Sequence, residues 1–260
     1  MAWKKTGKAL KAVTASMIAA VMFLGARPVL AEEFRFATEG AYPPFNYVDA
    51  ASQPQGFDVD IARALCAKMQ VDCVIVVQDW DGIIPGLLAN KYDAVIASMQ
   101  STPERAKSVD FTDRYYSSEL ALAVKKESKP HNIAPETLKG LRIGAQAGTA
   151  MAAYSEDHYI PAGVNIWFYP TAEEVNMDML IGRLDGMVQE KFPLFDWLKK
   201  GGRDCCRLLG YAQGTSEPIS IAVRKNSDAL KARLNQAIAD IRADGTYQKI
   251  SAKYFGADIY

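Results

Sequence analysis

Histidine is nearly missing from this chain, with two in 260 residues, and cysteine is held to four. His131 and His158 stand near no cysteine, and neither has the spacing of metal ligands. A metal centre is therefore not expected. No internal repeat or low-complexity segment is visible, which sets aside repeat arrays and compositionally biased tails. Net charge is absent too, since 30 basic residues balance 30 acidic ones. That balance hides an uneven start. Residues 1–31 carry five basic side chains (Lys4, Lys5, Lys8, Lys11 and Arg27) and no acid, so the remainder has 25 basic against 30 acidic residues, a net of −5. A mildly acidic surface does not attract nucleic acid or an anionic membrane, and neither is expected as a partner.

What is present begins with that first segment. The four lysines precede a mostly apolar run from Val13 to Leu24, and Val29 to Ala31 offers small residues before Glu32. This is the pattern of a secretory signal peptide over residues 1–31, with an apolar core short for a membrane span. An uncleaved anchor is the alternative. No cysteine adjoins the cleavage point, so lipid attachment is not expected. The 229 residues that follow suit one large domain or two of about a hundred residues each.

In an exported chain, four cysteines point to disulfide chemistry. Cys66 falls at the end of an expected helix and Cys73 at the start of the next strand. A short loop closed this way is stabilised by roughly 2–3 kcal/mol in the chain-entropy model. Cys205-Cys206 admits three states: a vicinal disulfide, two thiols, or pairing between molecules.

Short β-like runs alternate with helical ones. Strands are expected at 34–38, 71–77, 94–98, 142–145, 165–169 and 186–189. Helices are expected at 58–69, with Ile61, Leu65 and Met69 on one face, and at 81–90, 149–157, 172–184 and 192–200. Such a rhythm implies mainly parallel sheets with helices on both faces. It is interrupted by an extended run at 115–124, and again by one at 218–224 before a long helix capped at Asn226/Ser227. Two such runs bracketing one α/β unit predict two lobes, with the chain crossing between them twice. Lobe 1 is expected to comprise residues 32–118 plus 220–260, and lobe 2 residues 119–219.

The candidates for chemistry sit at strand ends, where α/β proteins build ligand clefts. The segment Phe34 to Phe45 ends a strand in a turn with a carboxylate, Glu39, and an exposed aromatic, Tyr42. Arg105 follows strand 94–98 where a helix should begin; its planar fork suits a carboxylate, or it is a surface arginine. Ser98 and Gln100 supply donors or are turn residues. Gln146-Ala-Gly-Thr149 closes a strand and opens a helix, where backbone N–H groups favour an anion, or it is an ordinary cap. Glu190 can hold an ammonium or favour the first turn of the next helix. Trp80 and Tyr42 are core or rim aromatics, or a pair that sandwiches an apolar stem. Together these residues describe a free α-amino acid clamped between lobes.

The chain resembles the extracellular solute-binding proteins of the polar amino acid type, the ligand-capturing subunits of ABC importers, nearest their basic amino acid and opine branch. The motifs are Ala37 to Phe45, Gly56-Phe-Asp-Val-Asp60, Asp81 to Leu87, Lys91 to Ser98, Thr102-Pro-Glu-Arg105, Val109-Asp-Phe-Thr112, Gln146-Ala-Gly-Thr149, Gly182-Arg-Leu-Asp185, Ala243 to Tyr247 and Lys253-Tyr-Phe255. The resemblance implies a two-lobed periplasmic-binding-protein fold of type II, α/β in class, with two hinge strands. It implies a periplasmic monomer without cofactor or enzymatic activity, partnered by a membrane permease. Arg105 would bind the ligand carboxylate, helped by Ser98 and the backbone near Thr149, and Glu190 would bind the ammonium. Tyr42 and Trp80 would sandwich the side chain and Glu39 would meet its far end, favouring arginine, lysine, ornithine or histidine. The resemblance also supports the pairing of Cys66 with Cys73. Ala97, Gln100 and Ala150 stand where related proteins often carry hydroxyls, and Glu190 replaces the usual aspartate. Octopine-like opines and glutamine stay open as ligands. A cyclohexadienyl-dehydratase-like enzyme on the same fold is the alternative from another class.

Overall fold

Phe34 and Phe36 point to one side of the first strand and are sealed from solvent, which anchors that strand over a helical layer. The structure, a computed structural model, describes residues 1–3 and 32–260. Apart from its first three residues, the expected signal peptide lies outside the described residues.

In chain order, β1 (Glu33–Thr38) leads to a small sheet of β2 (Ala41–Tyr42), β3 (Asn46–Val48) and β4 (Pro54–Gln55). Then come α1 (Phe57–Met69), β5 (Asp72–Val77), α2 (Trp80–Leu88) and β6 (Ala94–Val95). Strands β7 (Val109–Ser118) and β8 (Leu120–Lys125) follow, then β9 (Arg142–Gln146), α3 (Ala150–His158) and β10 (Asn165–Tyr169). The rest is α4 (Ala172–Leu180), β11 (Gly186–Glu190), α5 (Lys191–Lys199), β12 (Cys206–Tyr211), β13 (Glu217–Arg224), α6 (Asp228–Ala243) and α7 (Thr246–Phe255).

The large strands form two sheets with one design. The first has the order β5-β1-β6-β13-β7 and the second β10-β9-β11-β8-β12. In each, the first three strands are parallel, the fourth is antiparallel to both neighbours, and four strands therefore share a direction. The reversed strands, β13 and β8, are those that arrive from the other sheet. The chain passes from β7 to β8 through Glu119 alone, and returns between Tyr211 and Glu217. Each sheet has apolar clusters on both faces. This is the two-lobed α/β architecture with mainly parallel sheets that the sequence predicts.

Local chemistry explains the element ends. In α1, Ile61, Leu65 and Met69 form the buried stripe, and Gln70 closes the helix in the left-handed region at φ 57°. In α4, the Thr171 hydroxyl accepts the amide of Glu174, half of a capping box.

Some expectations need correction. The extended run at 115–124 is two strands in two sheets. The helix expected to reach residue 184 stops at Leu180, because Gly182 turns the chain at φ +80°. The helix expected at Arg105 is a single 3-10 turn, Arg105–Lys107. Strands β2, β3, β4 and β12 and helix α7 were not anticipated. Both cysteine pairs are joined: Cys66 to Cys73, with Cα atoms 5.6 Å apart, and Cys205 to its neighbour Cys206.

Candidate functional site

Because the parallel strands of both sheets end toward each other, the residues that follow them converge. Glu39 follows β1, Trp80 opens α2, Ser98 and Gln100 follow β6, and Gln146 and Glu190 end β9 and β11. These six, with Tyr42, Arg105 and Thr149, line one cavity. All nine candidate residues meet there. Ala97, Ala150 and Met151 complete the wall with methyl and thioether groups.

Tyr42 corrects the sequence reading. It is not exposed but buried, and its hydroxyl donates to Gln189 Oε1 at 2.9 Å. Arg105 is half-buried and lines the cavity. Its Nη1 donates to the Gln100 carbonyl at 2.9 Å and its Nη2 to the Gly148 carbonyl at 3.2 Å, while its guanidinium lies 5.1 Å from the Trp80 ring centre. Burial lowers its pKa to about 10, against the opposing pull of Glu190. Gly148 reaches this position at φ +65°, a conformation glycine adopts without strain.

At the start of α3, the Thr149 hydroxyl donates to the Gln146 carbonyl at 2.6 Å and accepts from the Ala152 amide at 3.3 Å. It is both a cap and a wall of the cavity. Glu190 precedes α5 but makes no side-chain cap bond, so its carboxylate is not used to start the helix. It is buried instead, with Oε2 unpartnered, and Gln100 Nε2 is likewise buried and unpartnered. Buried polar atoms ordinarily have partners, so two orphans on one cavity mark a place built to receive polar groups.

Sequence reasoning named Asp58 only as a helix start and missed its part here. It is fully buried and accepts hydrogen bonds from Asn46 Nδ2 at 2.9 Å, Ser98 Oγ at 3.0 Å and the Tyr115 hydroxyl at 2.8 Å. Ser98 thus gives its hydroxyl proton to Asp58, and its backbone turns at φ 51° to do so. The signal was the acid in the first turn after Gly56, which reads equally as ordinary helix-dipole stabilisation.

The electrostatics are one-sided. Burial raises the Glu39 pKa to about 7, eased by its hydrogen bond from Gln146 and worsened by Glu173, Asp79 and Asp81. Burial and the nearby Asp58 charge raise Glu190 to about 8, with Arg105 opposing. Burial raises Asp58 to about 6 in spite of its three donors. Two acids and one base line the cavity, with a third acid beneath. Among the described residues no cluster of histidine, cysteine, aspartate or glutamate could hold a metal ion.

Fold and site together define a two-lobed ligand-binding protein with a polar cavity at the facing sheet edges. The chain belongs to the bacterial extracellular solute-binding proteins, family 3, whose pattern matches residues 34–257. It is 40% identical over 256 residues to an L-arginine-binding protein of Pseudomonas aeruginosa, covering 96% of each chain. An ancestral arginine-binding protein bound to arginine superposes with a TM-score of 0.81 at 34% identity, covering 87% of this chain and all of that one. An ancestral amino acid-binding protein, described as a precursor of cyclohexadienyl dehydratase, gives a TM-score of 0.78 at 31% identity, covering 86% of this chain and 95% of that one.

Proposed function

We propose that this chain is the periplasmic binding subunit of an ABC importer for a cationic amino acid, with arginine first. The observation that carries this reading is the charge of the cavity. Its wall holds Glu39 and Glu190 against Arg105 alone, over the buried Asp58. A zwitterion with a neutral side chain adds no charge to draw those carboxyls, raised to about 7 and 8, into their ionised forms. A cationic side chain offsets one of the charges, which at low dielectric is the larger effect. The arginine-binding names of the relatives support the same choice.

In this reading Arg105 pairs with the ligand carboxylate, aided by backbone N–H groups near Thr149. Ser98 acts indirectly, because its proton is given to Asp58. Glu190 takes the ammonium, Tyr42 and Trp80 flank the side chain, and Glu39 meets its far end. Residues 32–118 with 220–260 form one lobe and 119–219 the other, rotating about strands near 117–122 and 216–222. Contacts from both lobes favour the closed form, since only differential affinity shifts such an equilibrium. Export by a cleaved signal peptide over residues 1–31, monomeric behaviour and delivery to a permease complete the proposal. A dehydratase reading draws on one observation, a buried carboxyl at Glu190 that stays protonated near neutral pH. The neighbouring carboxylate, Asp58, is held by three donors beneath the cavity instead of facing into it.

The test is a thermal-shift panel on the mature protein, refolded to remove carried ligand, with arginine, lysine, ornithine, histidine, glutamine, glutamate, octopine and arogenate. A ligand at 100 times its dissociation constant stabilises by about 2.7 kcal/mol. Stabilisation by the cationic amino acids supports the reading. A response to glutamate or to none of them removes it, and turnover of arogenate would establish the enzyme instead.

A further inference from the structure

Gln146 Nε2 donates to Glu39 Oε1 at 2.6 Å and to the Pro170 carbonyl oxygen at 3.1 Å. The second bond fixes the amide. A backbone carbonyl only accepts, so the –NH₂ of Gln146 must face Pro170 whatever the protonation of Glu39. The two are held in reach by the sheet itself, because Gln146 pairs in register with Tyr169, which immediately precedes Pro170, and Ala147 N donates to the Tyr169 carbonyl at 2.8 Å. Flipping the amide would set its oxygen against the Pro170 carbonyl oxygen.

The consequence lies on the other side of the group. Gln146 is 2% exposed and lines the cavity, and no described residue donates to its Oε1. Glu39 has one oxygen engaged by Gln146, and no described residue donates to its Oε2. Around them stand further acids, Glu173, Asp79 and Asp81, close enough to act on Glu39. With Glu39 ionised, as a cationic ligand favours, the far end of the cavity therefore offers two acceptor oxygens on separate groups and no free side-chain donor.

We propose that Gln146, oriented by the Pro170 carbonyl, makes this end of the cavity an acceptor-only wall and thereby selects a guanidinium over a carboxamide or urea. This rests on the amino acid-binding reading above and adds the chemistry of the distal group. A guanidinium presents N–H donors in a planar fork and no acceptor. A carboxamide offers donors from one nitrogen only, so to reach both acceptors it must give up the fork geometry, or else face its oxygen to one of them and leave that acceptor without a partner. Glu39 supplies charge, whereas Gln146 supplies the rejection of mixed donor–acceptor groups.

Citrulline is the discriminating probe, because it keeps the length of arginine and replaces one terminal nitrogen with a carbonyl oxygen. Isothermal titration of the refolded protein with arginine and citrulline is expected to favour arginine by roughly 100-fold or more, and Gln146→Met to lower that ratio by roughly tenfold. A wild-type ratio within about threefold overturns the inference even if the variant does not fold. So does an unchanged ratio in a folded Gln146→Met protein that still binds arginine. If the wild-type protein binds neither arginine nor any other amino acid, the functional reading itself fails and takes this inference with it. Arginine binding with an unaltered ratio sinks the Gln146 role alone.

Discussion

The indole N–H of Trp80 donates to the carbonyl oxygen of Gly148 at 3.1 Å, joining the start of α2 to the loop before α3 across the cavity. Arg105 donates to the same oxygen at 3.2 Å. Trp80→Phe keeps an aromatic face and removes the N–H. With one neutral hydrogen bond worth about 1 kcal/mol, ligand affinity is expected to fall about fivefold, mainly through a faster off-rate. Stopped-flow dissociation measures it directly, and an unchanged off-rate would mean that this contact does not hold the cavity closed.

Arg105→Ala is expected to weaken every amino acid ligand by about 100-fold or more. Removing one member of a buried, hydrogen-bonded charge pair costs about 2–5 kcal/mol, largely because the other charge stays buried. Titration calorimetry on a protein of unaltered melting temperature is the check. Near-wild-type affinity would move the ligand carboxylate elsewhere.

Glu39→Gln is expected to weaken arginine by about 10- to 100-fold, the range for a hydrogen bond to a charged group, and glutamine much less. Equal losses for the two ligands would show that Glu39 does not face the distal group.

Capture of a cation should also release protons. Glu39 and Glu190 titrate near 7 and 8 in the ligand-free protein, so both carry bound protons at pH 6. A cationic ligand favours their ionised forms. Affinity is therefore expected to rise with pH from 6 to 8 and to fall on acidification. Calorimetry at pH 7 in buffers of different ionisation enthalpy counts the protons, and Glu39→Gln should release fewer than wild type.

The same groups act on stability with a definite sign. Glu190 is an acid whose folded pKa is raised, so the folded state binds more protons than the unfolded one between about pH 4 and 8. Its contribution to stability is therefore lost as pH rises through that window. Glu190→Gln is expected to raise the melting temperature of the ligand-free protein more at pH 8 than at pH 5, by at least about 2 °C. An equal effect at both pH values would mean that Glu190 is not charged and buried at pH 8.

Some of this was legible before any coordinates. The alternation of strand and helix, the apolar stripe of α1 and the carboxyl-edge positions of Glu39, Arg105, Gln146 and Glu190 follow from short-range pattern, which a sequence displays directly. The α/β class, the two lobes and the membership of the cavity were all within reach of that pattern. Helix α7 was missed although it runs ten residues beyond the turn at Gly245 with Tyr247 and Ser251 four apart on its buried side. Strand β12 was hidden by the cysteine pair at its start and by the lack of alternation along it.

What the sequence determined by itself is which residues stand where strands end, because local propensity and turn chemistry act over a few neighbours. Tertiary structure alone decided what those residues do to one another. It buried Tyr42 against Gln189 and Asp58 beneath Ser98, left Glu190 Oε2 without a partner, and turned the Gln146 amide toward Pro170. Each of these depends on contacts between residues far apart in the chain, or on a solvent exclusion that both sheets create together. Desolvation is a property of the closed volume, and no stretch of sequence carries it.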